Sequence, residues 1–395
     1  MDLDLYQSLI ASIDKAYVTE RLQEMIAIRS ENPFEANPRP GYRETEMSMY
    51  YGEVMTANGL KVLFREIKQG RSNVFGFRKG QGNGITLMLA GHLDTAPTED
   101  YEDAYKVKHE NGQVFGRGAC DMKAALAAYL EVARILNDAR LKLKGHLIIG
   151  GIIDEEYQMI GSRDVGVNGP HADQGIIGEP SGLQICPANR GQLGTHIRTF
   201  GVSVHSSVPE TGDNAIVHMS KVIQAFSDYN QALLQAEPHP LCGHGRFTPS
   251  VIKGGTILST VPDQCELEVD RRVLPGETKD TVFEEYRSRL DPLVKDSPTF
   301  RYEITEPTWD IPANDISEQE PVVQSLLSAY KAVMGKPARC KAFAAATDAP
   351  NMGFPTVVCG PGSIDQAHGK NEFVSVQQIV QAVRMYLWSI LDLLL

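Results

Sequence analysis

At 395 residues the chain is long for one hydrophobic core, and its 42% hydrophobic, 22% charged composition is ordinary for a globular protein, so two domains are expected. A net charge of −12 with no block of Lys or Arg argues against a nucleic-acid partner, which needs a concentrated basic surface to displace counterions. The six cysteines are widely spaced with no C-x-x-C pair, the first residues carry acids where a signal peptide carries bases, and no apolar stretch reaches the roughly 18 residues of a membrane span; a reduced, cytoplasmic protein is the expectation.

In chain order, the spacing of apolar residues predicts helices over 6–27 and 45–57, with a loop rich in Pro, Asn and Gly at 32–43 between them. Strands are predicted over 73–77 and 85–90, then an Ala/Leu-rich helix over 122–136 and strands over 147–153 and 175–178. Beyond Pro187 the texture changes. Strand 192–200, helix 214–234, strands 247–258 and 265–273, helix 279–290 and strand 299–304 follow in the order βαββαβ, the ferredoxin-like split unit. From about Glu306 the first texture returns, with helices over 321–333 and 376–395 around a strand at 355–358. The expected architecture is therefore an α/β catalytic domain (1–187 and 306–395) interrupted by an α+β unit (188–305).

Several apolar runs end in acids or imidazoles: Ile85–Ala90 before His92 and Asp94, Leu147–Ile153 before Glu155 and Glu156, Gly175–Gly178 before Glu179, and Pro355–Val358 before a Gly-Pro-Gly turn leading to His368. In open α/β sheets ligands bind outside the carboxyl ends of the strands, so residues far apart in sequence can converge there. His92-x-Asp94 suits a metal-bound imidazole whose far nitrogen is held by a carboxylate, although H-x-D alone equally describes a solvated loop pair. Asp121, in Gly-Arg-Gly-Ala-Cys-Asp-Met-Lys, stands at a helix mouth, where it is either an N-cap or a ligand. Adjacent carboxylates at a buried strand end repel one another unless cations or protons compensate. Glu155 and Glu156 read either as a ligand and a neighbour that takes a proton from water, or as an acidic turn at the surface. Cys120 reads as a small buried thiol.

These motifs, Gly91-His92-Leu93-Asp94-Thr95, Gly116 to Lys123, Asp154-Glu155-Glu156, Gly178-Glu179-Pro180 and Ala367-His368, resemble the co-catalytic zinc family of aminoacylases, acetylornithine deacetylases, succinyl-diaminopimelate desuccinylases and carboxypeptidases G. The resemblance runs nearly end to end and is nearest the acetylornithine deacetylase branch. It implies that Asp121 bridges two zinc ions, that Glu156 and His368 complete one set of ligands and His92 and Glu179 the other, and that Glu155 is the general base. Cobalt or manganese suits the same oxygen and nitrogen donors. It also implies a cis peptide after Asp121, and a lid and dimerisation domain whose His205 reaches the partner subunit's active site. Arg272 is then the clamp on a substrate carboxylate, with Asn214 and Ser259 at substrate-facing positions. Ser259 departs from the family, which often has Asn there, and Pro350 replaces a carboxylate-reading Arg of several relatives. Thr347 and Asp348 either face the substrate or cap a turn.

The implied activity is hydrolysis of an N-acylated amino acid by a homodimer with two Zn2+, with N-acetylornithine the leading substrate. A dipeptidase, carboxypeptidase, desuccinylase or carbamoyl-type amidase keeps the same chemistry. A non-catalytic binding protein on this scaffold is the alternative of another class.

Overall fold

A computed structural model describes residues 2–34, 44–98 and 101–395. Of the loop expected over 32–43, residues 35–43 lie outside the described residues. The chain forms two compact units, Met1–Ala188 with Asp315–Leu395, and Asn189–Asn314.

The first unit is built on a six-stranded sheet in the order Lys61–Lys68, Arg71–Arg78, His146–Ile152, Thr86–His92, Gln174–Ile177, Thr356–Val358. The last four strands are mutually parallel, and the first two form an antiparallel hairpin on one edge. Both faces of the parallel strands are covered, which explains their unbroken apolar runs. Leu87 and Leu89 point into one core with helices Lys15–Ala27, Lys123–Asp138 and Val376–Leu394. Met88 and Ala90, on the opposite face, join a second core with Val165 and Met352. The helix predicted over 6–27 is in fact two, Leu3–Ala11 and Lys15–Ala27, because Asp14 caps the second by accepting the amides of Ala16 and Tyr17.

Register determines what meets at the carboxyl edge. His92 pairs with Ile152, Ala90 with Ile177, and Ile177 with Val358, so the strands end nearly level and their following residues share one rim. Gly91 lets the next layer approach: a Cβ there would sit 2.0 Å from the Met122 side chain, immediately after Asp121.

The second unit is an antiparallel sheet in the order Arg246–Gly254, Gln264–Val273, Gly191–Phe200, Arg301–Ile304, backed by helices Ala215–Ala225, Tyr229–Gln235 and Lys279–Asp296 over their own core. The mixed α/β fold with an inserted α+β unit is thus the architecture present. This unit continues to Asn314 rather than 305, since Trp309–Ile311 adds to the same sheet by pairing with Gly194 to Gln192.

Candidate metal centre

His92 is fully buried at the end of its strand. Its Nδ1 lies 3.0 Å from the backbone oxygen of Asp94. A carbonyl only accepts, so Nδ1 carries the proton, and the lone pair of the neutral ring is left on Nε2. Nε2 faces Asp121 Oδ1 at 3.1 Å and Glu179 Oε1 at 3.8 Å.

Asp94 is also buried, with its carboxylate 3.6 Å from His92 Nδ1. The same carboxylate accepts the amides of Glu155 (3.2 Å) and Glu156 (3.1 Å) and the Asn32 side chain (2.8 Å). Strand register brings these groups together: with His92 opposite Ile152, a residue two beyond His92 lies beside the turn that follows Ile152. Asp94 therefore faces His92 with its main-chain oxygen and its carboxylate, and holds the glutamate pair through the carboxylate.

On the other side of Asp121, Oδ2 lies 3.4 Å from His368 Nε2, which is 3.1 Å from Glu156 Oε2. The ligand-type atoms fall into two groups, His92, Asp121 and Glu179, and Asp121, Glu156 and His368, each with all atoms within 4.8 Å of one another. Asp121 belongs to both. The peptide between Asp121 and Met122 is cis, as the resemblance implies. Glu155 is half-buried beside these groups and belongs to neither.

The electrostatics are those of a cation site. Burial pushes the Asp121 carboxyl up, but the imidazoles of His368 and His92 outweigh it and hold the group well below the usual carboxylate range. Burial and the surrounding acids push Glu155 and Glu179 well above that range. For His92 burial opposes protonation, and the carboxylates of Glu179, Asp121 and Glu155 override it. Glu156 Oε1 and Glu179 Oε1 are buried with no hydrogen-bond partner, although such oxygens are almost always satisfied. Oxygen and nitrogen donors of this kind, with one oxygen orphaned in each group, fit divalent cations such as zinc.

Sequence reasoning missed Glu372. Its Oε1 accepts the amides of Cys120 (3.0 Å) and Asp121 (3.1 Å), and its Oε2 accepts from Arg117 (2.8 Å). Arg117 in turn donates to the His368 carbonyl at 3.1 Å. Cys120 is buried, and burial with Glu372 and Asp121 nearby raises its thiol far above the reactive range.

The remaining expected site residues lie in the second unit and are described within it. His205 is exposed, with Nδ1 2.7 Å from Ser207 Oγ, and the Ser206 amide donates to the carbonyl of exposed Ser259 at 2.9 Å. Asn214 caps helix Ala215–Ala225, its side-chain oxygen accepting the amides of Ile216 and Val217. Arg272 donates to Asp270 at 2.9 Å, a part-exposed ion pair.

The chain matches Peptidase family M20/M25/M40 over residues 88–392. It is 33% identical to an acetylornithine deacetylase of Edwardsiella ictaluri over 82% of this chain and 84% of that protein. It is 27% identical to an N-formyl-4-amino-5-aminomethyl-2-methylpyrimidine deformylase of Bacillus subtilis over 94% of each. Among solved structures, a tripeptidase from Staphylococcus aureus superposes with a TM-score of 0.77 at 20% identity, covering 96% of this chain and 98% of that one. A dinuclear metal-binding peptidase from Bacillus subtilis superposes with a TM-score of 0.70 at 16% identity, covering 96% and 99%.

Proposed function

Because the chain belongs to Peptidase family M20/M25/M40, hydrolases of amide bonds, we propose that it removes a small acyl group from an N-acylated amino acid with two bound zinc ions. The observation that carries this reading is the pair of ligand groups joined through Asp121. His92 and Glu179 would hold one cation, Glu156 and His368 the other, and Asp121 both. Cations held there supply positive charge that makes water more acidic and polarises the scissile carbonyl.

The chain's own residues do the rest. Glu155 accepts the proton of the attacking water, a task that suits a carboxylate whose surroundings raise its proton affinity. That proton then passes to the departing amine. Asp94 fixes the Glu155 backbone through its amide, so the base and the ligand Glu156 move as one turn. Arg272 reads the substrate carboxylate, and Asn214 and Ser259 are further substrate-binding residues.

N-acetylornithine is the leading substrate on the strength of the deacetylase relatives. An N-formyl group on an aminomethylpyrimidine is a second reading, supported by a deformylase relative that spans nearly the whole of both chains. The enzyme works as a homodimer in which His205 serves the partner's site. Strand Arg246–Gly254 supports this, being an exposed sheet edge that carries Val251 and Ile252, with exposed Ile216 against Gly254.

The test is turnover of N-acetylornithine, an N-formylated aminomethylpyrimidine and dipeptides by the wild-type protein and Glu155→Gln. Acetate release that Glu155→Gln abolishes at unchanged metal content is expected. Activity on dipeptides alone would overturn the deacylase reading, and an active Glu155→Gln would overturn the base. His205→Ala, with sedimentation to report dimers, is expected to lose turnover while keeping its assembly.

A further inference from the structure

Asp154 adopts a left-handed conformation, φ 71°, although it is not glycine and is 1% exposed. A residue with a Cβ rarely adopts that conformation unless its surroundings hold it there. They do so through the side chain. Oδ1 accepts from Arg71 Nη2 at 2.7 Å and from Asn32 Nδ2 at 3.1 Å, and Oδ2 accepts the Gln158 amide at 3.2 Å.

We infer that Asn32 and Arg71 are positioning residues that clamp the 154–156 turn through Asp154 and thereby aim Glu155. The inference rests on the reading of Glu155 as the base. Asn32 is the tie between the two sides of the turn: its one amide nitrogen donates both to Asp154 and, at 2.8 Å, to Asp94 Oδ2, whose carboxylate already holds the amides of Glu155 and Glu156.

Each clamp residue is itself fixed from elsewhere. The Asn32 amide donates to the Thr95 carbonyl at 3.0 Å, and its side-chain oxygen accepts from Phe34, whose ring meets Tyr157 edge-on at 5.2 Å. Arg71 is 3% exposed on its strand and grips both oxygens of buried Glu44 with Nε and Nη2. A planar guanidinium can hydrogen-bond both carboxylates at once, although its single charge leaves burial to push the Glu44 carboxyl up to about 7. Three side chains from separate stretches thus converge on one short turn. Its direction is set by this network and not by the sheet, which ends at Ile152.

Two variants separate this role from simple structural support. Asp154→Gly suits the left-handed backbone but deletes the clamped carboxylate, so strain cannot explain a loss of activity. Asn32→Ala removes the tie and leaves the Arg71–Glu44 pair in place. Both are expected to lower kcat about 10- to 100-fold at unchanged KM and metal content, the cost of a base misplaced by about 1 Å. Asp154→Asn, which keeps the Oδ1 acceptor, restores most of the loss. Amide hydrogen exchange reads the clamp without activity: in both variants the amides of Glu155 and Glu156 exchange faster while strand His146–Ile152 keeps its protection. Wild-type kcat in both variants, or unchanged exchange at Glu155 and Glu156, would overturn the clamp. If Glu155→Gln proves active, the base reading fails, and the exchange experiment still decides whether the turn is clamped.

Discussion

Asp121 presents one carboxylate oxygen to each of two imidazoles, Oδ1 to His92 at 3.1 Å and Oδ2 to His368 at 3.4 Å. His92 ends a strand and His368 lies in the turn after the short helix Ile364–Gln366, and among the described residues the two share no other carboxylate contact of this kind. Asp121→Asn preserves the shape and removes the charge on which both groups depend. We expect the variant to lose metal from both positions together after dialysis, as measured by elemental analysis. Retention of one full equivalent would show that the two positions fill independently.

His368 carries a proton that a cation must displace. Hydrogen bonds to Asp121 and Glu156 raise its pKa to about 10 against the opposing effect of its burial. Around neutral pH the metal-free imidazole is therefore protonated, and metal binding releases that proton. The expected outcome is an affinity that rises by up to about tenfold per pH unit for each proton released, and a calorimetric heat that depends on the buffer's ionisation enthalpy. A buffer-independent heat would contradict it. In the metal-free protein the same raised pKa adds stability below the ordinary histidine value, and this is lost as pH climbs through about 10.

Asp348 is fully buried. Burial, with Asp94 and Asp154 adding to it, outweighs the Ser162 hydroxyl and His92 and pushes the carboxyl up to about 7. A raised folded-state pKa means that the folded chain binds this proton more tightly than the unfolded one. Stability is thus lost as pH rises from about 4 to about 7. Asp348→Asn removes that dependence. In the metal-free protein the variant is expected to melt a few degrees higher than wild type at pH 8, with the difference closing toward pH 4. Equal melting temperatures at pH 8 would refute the charge cost.

How much of this could be read from sequence follows from how each residue acts. His92, Glu156 and Glu179 were legible because each follows a strand buried on both faces, and such a strand is written as an unbroken apolar run. Strand Lys61–Lys68 was not, since it is an edge strand whose residues are exposed or half-buried. The bonds from Asp94 to the amides of Glu155 and Glu156 were not legible, because periodicity places a residue on a side but does not say which backbone groups its side chain reaches. Asn32, Arg71 and Glu372 act through hydrogen bonds to partners 62, 83 and 251 residues away, outside any apolar run. The one available signal was Arg117 within the glycine-flanked motif, a buried cation that demanded a distant acid.

That acid, Glu372, gives the last prediction. It binds the backbone on which Asp121 is mounted, and its second oxygen holds Arg117, which also grips the His368 carbonyl. One carboxylate thereby supports residues of both candidate groups. Glu372→Gln keeps an acceptor for the two amides but leaves Arg117 buried without its counter-charge, a change expected to cost about 3–5 kcal/mol of stability in denaturant titration. Because Arg117 is then less firmly held, His368 loosens, and metal affinity in a chelator competition should fall about 10- to 100-fold. Arg117→Met tests the same link from the other side and should weaken metal binding similarly. If stability falls in both variants while affinity stays at the wild-type value, Glu372 serves the fold alone and the His368 carbonyl is held by other means.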